Sequence, residues 1–235
     1  MNQREVFQHY SNIIDSLINT SDFYKIYFQE PYSLDDDIQI TDTLSLSCGI
    51  SRGCLVDSTY DYVVKFQLNN DECECCDKEI AIYDDAVGYG IEKCFVRPIF
   101  IGTYRKTFNS YLLADVVEEM NWYCEEDFYS QFDIVKDNHK KQSVSISINL
   151  FAYPRVETNI SLDSYSIDDE HYAQNSTSPL KEYNLAIAAE FIGEYGEELY
   201  NVLTNFLYDW NVNDIHYGNI GRYCGHICII DYAGA

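Results

Sequence analysis

Cys73, Cys75 and Cys76 place three thiols close together, and thiols so spaced can ligate a metal such as zinc. That chemistry needs a second Cys-x-x-Cys or a His pair at zinc spacing; the sequence has neither, and Cys224-x-x-x-Cys228 reads instead as alternating strand positions. Nine cysteines, an odd number scattered from position 48 to position 228, predict reduced thiols rather than the framework of a small secreted domain. A second group stands further on. Asp214-Ile-His-Tyr-Gly-Asn219-Ile-Gly is followed by Ile229-Ile230-Asp231-Tyr-Ala-Gly234, which gathers two carboxylates, an amide and the His216 imidazole. Such side chains can meet a hard cation or move a proton, and they equally suit solvated turns in which His216 packs beside the loop and Gly218 and Gly221 serve tight backbone geometry.

The charge narrows the partners. Against 39 Asp+Glu stand 15 Lys+Arg, a formal net charge of −24, so a protein that tracks phosphates along nucleic acid or an anionic membrane is disfavoured by repulsion. A basic protein surface, a polycationic small molecule or a metal-nucleotide complex is compatible. The start, Met-Asn-Gln-Arg-Glu-Val-Phe-Gln-His, lacks the pattern of a signal peptide, and no apolar run approaches the roughly 20 residues of a membrane span, so a soluble, cytoplasmic protein is expected. With 235 residues and 46% hydrophobic content the chain can bury a core as one large domain or two small lobes.

The elements that must position these groups follow from periodicity. Apolar residues at Val6, Phe7, Tyr10, Ile13, Ile14 and Leu17 predict an amphipathic helix over 4–17. Strands are expected at 24–28, 38–46, 54–56 and 62–66, with turn chemistry from Gly49 to Gly53. A helix is expected over about 76–87, stopped by Gly88 and Gly90, then strands at 94–101 and 110–117. Ser143–Leu150 and Val156–Leu162, separated by Tyr153-Pro154-Arg155, read as a hairpin insertion within about 131–178. One helix is expected from Pro179 to Tyr208, burying Leu185, Ala188, Phe191, Ile192, Tyr195, Leu199, Leu203 and Phe206.

The last 25 residues resemble the catalytic end of the protein-kinase-like superfamily, in which a loop after a long helix carries an Asp with an Asn five residues later and a following hairpin delivers a metal-binding Asp. The resemblance implies that Asp214 orients the acceptor hydroxyl and that Asn219 and Asp231 hold Mg²⁺. It extends in outline to the rest: Tyr62-Val-Val-Lys65-Phe is similar to the strand whose Lys holds the α/β-phosphates of ATP, Glu79 to its ion-pair partner on the next helix, and Gly49-Ile-Ser-Arg-Gly53 stands in the place of the glycine-rich loop without its full Gly-x-Gly-x-x-Gly. The family's loop histidine would align at Val212. The implied fold is α+β, a two-lobe kinase-like fold with a β-rich N-lobe over 1–117, including an extra N-terminal helix, and a reduced, mostly helical C-lobe over 118–235 that carries the insertion. The Asn219-Ile-Gly loop and the Asp231-Tyr-Ala-Gly ending resemble those of small, C-terminally shortened kinase-like proteins of tailed phages.

Two functions are carried forward. One is an ATP- and Mg²⁺-dependent phosphotransferase acting on a cationic or basic acceptor, because the acidic runs Glu118-Glu119 and Glu125-Glu126-Asp127 would repel anionic ones. The other is a catalytically inactive, acidic binding protein on a kinase fold, a nucleic-acid mimic that inhibits a basic host or defence protein.

Overall fold

The amphipathic period of the first residues produces helix α1, Gln3–Leu17, whose Val6, Tyr10, Ile14 and Leu17 are buried. In the computed structural model, which describes residues 2–20, 23–24, 38–48, 52–67, 75–109, 133–136, 142–158, 185–212, 215 and 217–233, the chain forms two compact units. The first comprises Met1–Glu74 and Ile99–Ala152, the second Cys75–Pro98 and Tyr153–Ala235, where the sequence reading places a single boundary after residue 117.

The first unit is an antiparallel sheet backed by α1. Its strands are β1 (Ile38–Gln39), β2 (Leu44–Cys48), β3 (Arg52–Asp57), β4 (Tyr62–Gln67), β5 (Ile99–Asn109), β6 (Asp133–Lys136) and β7 (Gln142–Pro154, whose last two residues belong to the second unit), in the order β1-β2-β3-β4-β7-β5 with β6 also on β7. Alternation along β2, β3, β4 and β7 turns Leu46, Leu55, Val64, Phe66, Ile146, Ile148 and Leu150 into one core with Tyr10 and Ile14 of α1.

Several expectations change here. The expected strand over 38–46 is two strands, because the Thr41 hydroxyl accepts the N–H of Leu44 at 3.1 Å and turns the chain. Phe23 and Tyr24 are helical and buried, where a strand is expected to begin at Tyr24, while 25–28 and 110–117 lie outside the described residues. Gly53 belongs to β3 opposite Phe66, whose ring fills the space of the missing side chain: three ring atoms lie within 2.8 Å of where a Cβ would stand. The largest change is β7. Residues 143–150, read as half of an insertion, are a central strand between β4 and β5 and pair also with β6, while Glu157 of the expected second strand bridges Arg222 and 159–162 lie outside the described residues.

The second unit is mostly helical. Helix α2, Cys75–Tyr89, runs through Gly88 instead of stopping there. A 3₁₀ turn at Glu92–Cys94 follows, so the strand expected from Cys94 begins only at Ile99. The expected long helix is two, α3 (Leu185–Tyr195) and α4 (Glu197–Asp209), broken at Gly196, whose φ of 85° suits glycine and interrupts the helical ladder. Ile192 faces out at 38% exposure, whereas Ala188, Phe191, Leu203 and Phe206 are buried as expected. A two-stranded hairpin, β8 (Ile220–Tyr223) and β9 (His226–Ile229), closes the unit, and its core joins Ile82, Phe95, Phe191, Leu203, Phe206, Ile227, Ile229 and Tyr232. No helix among the described residues is long and apolar enough to cross a membrane.

Candidate functional site

The hairpin positions the terminal polar residues. Cys224 and Gly225, both at positive φ (52° and 84°), make the two-residue turn, so Cys224 is a turn position rather than a strand one. At the open end Ile220 pairs with Ile229, and the Ile230 N–H donates to the Asn219 carbonyl at 2.9 Å. Asn219 and Asp231 therefore stand on the two sides of the hairpin mouth, each partly exposed.

Both ends of the hairpin are anchored within the unit. At the turn end, Arg222 binds Glu190 and, at 3.3 Å, Glu194 of α3; His226 Nδ1 lies 2.7 Å from Glu194, and the Ile227 N–H donates to Glu194 at 3.1 Å. Burial raises the Glu194 carboxyl's affinity for a proton, but the Ile227 N–H and His226 outweigh it and hold its pKa below the ordinary 4.5. At the mouth, the Val96 N–H donates to the Ile229 carbonyl at 2.9 Å, and the Tyr195 hydroxyl reaches the carbonyls of Ile227 at 2.7 Å and Lys93 at 3.2 Å. Cys94 and Cys228 are buried there as free thiols, each pushed by burial to about 12 and so uncharged at neutral pH.

Glu79 is the fully buried acidic residue of α2. Its Oε1 accepts the N–H of Tyr232, the residue after Asp231, at 2.9 Å, and its Oε2 accepts the Tyr153 hydroxyl at 2.6 Å. The Tyr232 hydroxyl in turn donates to the Val96 carbonyl at 2.8 Å, and its ring meets Phe95 edge-on at 4.9 Å. Sequence reasoning missed Tyr153, taking it for a separator between strands; its partner lies 74 residues away, and no local pattern signals it.

The Glu79 carboxylate and the Asn219 main-chain carbonyl thus bond to the N–H groups of Tyr232 and Ile230, on either side of Asp231. Lys65 belongs to the other unit, on the face of β4 opposite that of Val64 and Phe66, across from Cys54. Gly53 has the packing role described above. Asp214, Gly49, His216 and the acidic runs at 118–119 and 125–127 lie outside the described residues. Among the described residues no group of three or more His, Cys, Asp or Glu is arranged to hold a metal. Asn219 and Asp231 each carry a side-chain oxygen of the type that Mg²⁺ takes, one or two from protein with phosphates and water completing the shell. No protein-family model matches the sequence, and no curated protein matches it.

Proposed function

We propose that the chain binds a Mg²⁺-nucleoside triphosphate in the manner of protein kinases, as a candidate phosphotransferase for a basic protein segment or an amine-rich small molecule. The observation that carries this reading is the bond from the Tyr232 N–H to buried Glu79, which ties the helix following the Lys65 strand to the residue after Asp231, with Asn219 across the hairpin mouth. In such a site Asn219 and Asp231 would hold the metal, whose chemistry is neutralisation of phosphate charge. Lys65 would meet the α/β-phosphates, and Asp214 would orient the acceptor hydroxyl. Gly49 would border the phosphates in place of a full glycine-rich loop.

Calorimetry of ATP binding with and without Mg²⁺ tests the reading. Binding that requires Mg²⁺, and that Asp231→Asn weakens by about tenfold or more with an unchanged unfolding midpoint, is the expected result. Equal Mg²⁺-ATP affinity in that variant overturns the metal assignment. The net charge of −24 favours a second reading, an acidic kinase-fold binder that occupies a basic protein surface without catalysis. That reading is selected if no nucleotide binds and a basic partner is held with an affinity that falls steeply as salt rises.

A further inference from the structure

A carboxylate taken wholly out of water keeps its charge and its aim through the donors that reach it. Glu79 is 0% exposed, with Tyr153 on one oxygen and the Tyr232 N–H on the other. Torsion alone does not fix the plane of a glutamate carboxylate, because the terminal rotation is broad and roughly two-fold. The plane is set by what binds the two oxygens. Tyr153 is itself 2% exposed near the end of β7, so burial fixes its ring. Tyr232 is held separately through its hydroxyl on Val96 and its ring on Phe95.

We infer that Tyr153 is a positioning residue: by holding Oε2 of Glu79 it aims Oε1 at the Tyr232 amide, and so fixes the peptide on which Asp231 stands. Its functional meaning rests on the nucleotide reading above, whereas the clamp is a property of the chain alone. Phenylalanine at 153 would keep the packing of the ring and remove the proton that the tyrosine gives Oε2, loosening its hold on the carboxylate plane.

The test uses the full chain, with exchange of the Tyr232 amide followed by NMR and ATP affinity measured with and without Mg²⁺. Tyr153→Phe is compared with Tyr104→Phe, which removes a similar hydroxyl from Asp15, 2.7 Å away in the first unit. In Tyr153→Phe, exchange at Tyr232 should rise about tenfold, ahead of its neighbours, and Mg²⁺-dependent ATP affinity should fall about tenfold, the scale of one buried hydrogen bond. Tyr104→Phe should move neither. A packing role alone would loosen the amides of the unit together and would overturn the inference, as would unchanged exchange at Tyr232 in folded Tyr153→Phe. Faster exchange with unchanged Mg²⁺-ATP affinity overturns the positioning role. Faster exchange in a chain that takes up no Mg²⁺-ATP upholds the clamp and overturns the nucleotide reading. If Tyr153→Phe does not fold, Glu79→Gln, a weaker acceptor, should still speed Tyr232 exchange by about threefold, and an unchanged rate overturns the clamp.

Discussion

Each unit sets a tyrosine hydroxyl on a carboxylate, Tyr104 on Asp15 at 2.7 Å and Tyr153 on Glu79 at 2.6 Å, yet the Asp15 side chain is 45% exposed and Glu79 is 0% exposed. Asp15 also meets Lys106 at 2.5 Å, and chiefly for that reason its carboxyl stays below the ordinary 3.8. Water can replace either partner of Asp15 but has no access to Glu79. Bond length therefore says little about worth; what each bond contributes is decided by the cost of leaving its acceptor unpaired. In the first unit the Asp15 pairs fasten α1 at the surface, and in the second the Glu79 pair stands in the interior.

Removing the buried acceptor should have the largest effect. Glu79→Ala strands the Tyr153 hydroxyl and the Tyr232 N–H and opens a cavity, so it should cost about 3–5 kcal/mol by urea denaturation. A loss under about 1 kcal/mol would erase the contrast between the units. The first unit is vulnerable through shape instead: Gly53→Ala forces a methyl into the Phe66 ring and should cost about 1–3 kcal/mol, partly recovered in the double variant with Phe66→Leu. Additive costs would show that the ring is not the obstacle.

The two tyrosines give the direct comparison. Tyr153→Phe should lower stability by about 1–3 kcal/mol and Tyr104→Phe by less than about 1 kcal/mol, because Asp15 can turn to water and Lys106. Equal losses in thermal or urea unfolding would break it.

The smallest effect is in acid. Burial raises the pKa of Asp57, but Thr59, through its hydroxyl and its N–H, and His9 outweigh burial and hold it below 3.8. A carboxylate lowered on folding adds stability above its unfolded pKa and loses it as pH falls through the folded one. Support from Glu194 should therefore be complete above about pH 4.5, that from Asp57 and Asp15 above about pH 3.8, each draining away below. In stability measured from pH 7 to pH 2, Glu194→Gln should flatten the first part of the decline and Asp57→Asn the later part. An unaltered profile in both variants would deny these carboxylates a role in acid stability.

Where structure follows local pattern, the sequence was readable. The period of α1 and the alternation of β4 follow from neighbouring residues, and the resemblance to the kinase-like catalytic end implied a hairpin between Asn219 and Asp231. What escaped was decided at long range. The alternation of 143–150 marks a strand but not its neighbours, so a central strand looked like an insertion. Gly53 read as a turn because its reason, the Phe66 ring, stands on another strand. Glu79 read as a helix residue with a distant Lys partner, while Tyr153, which holds it, carried no signal. Of the candidate site, Glu79, Asn219 and Asp231 share one unit, Lys65 lies in the other, and Asp214 and Gly49 fall outside the described residues.

The place of β7 beside β4 also bears on how the chain is made. β4 ends at Gln67 and its neighbour begins at Gln142, so on the ribosome the strand carrying Lys65 emerges long before the strand that covers its edge. Until then it presents unpaired N–H and C=O groups beside an apolar face, the kind of edge on which nascent chains pair wrongly. Closing so distant a contact is slow, and a chain released early, anywhere before residue 142, would keep that edge permanently open.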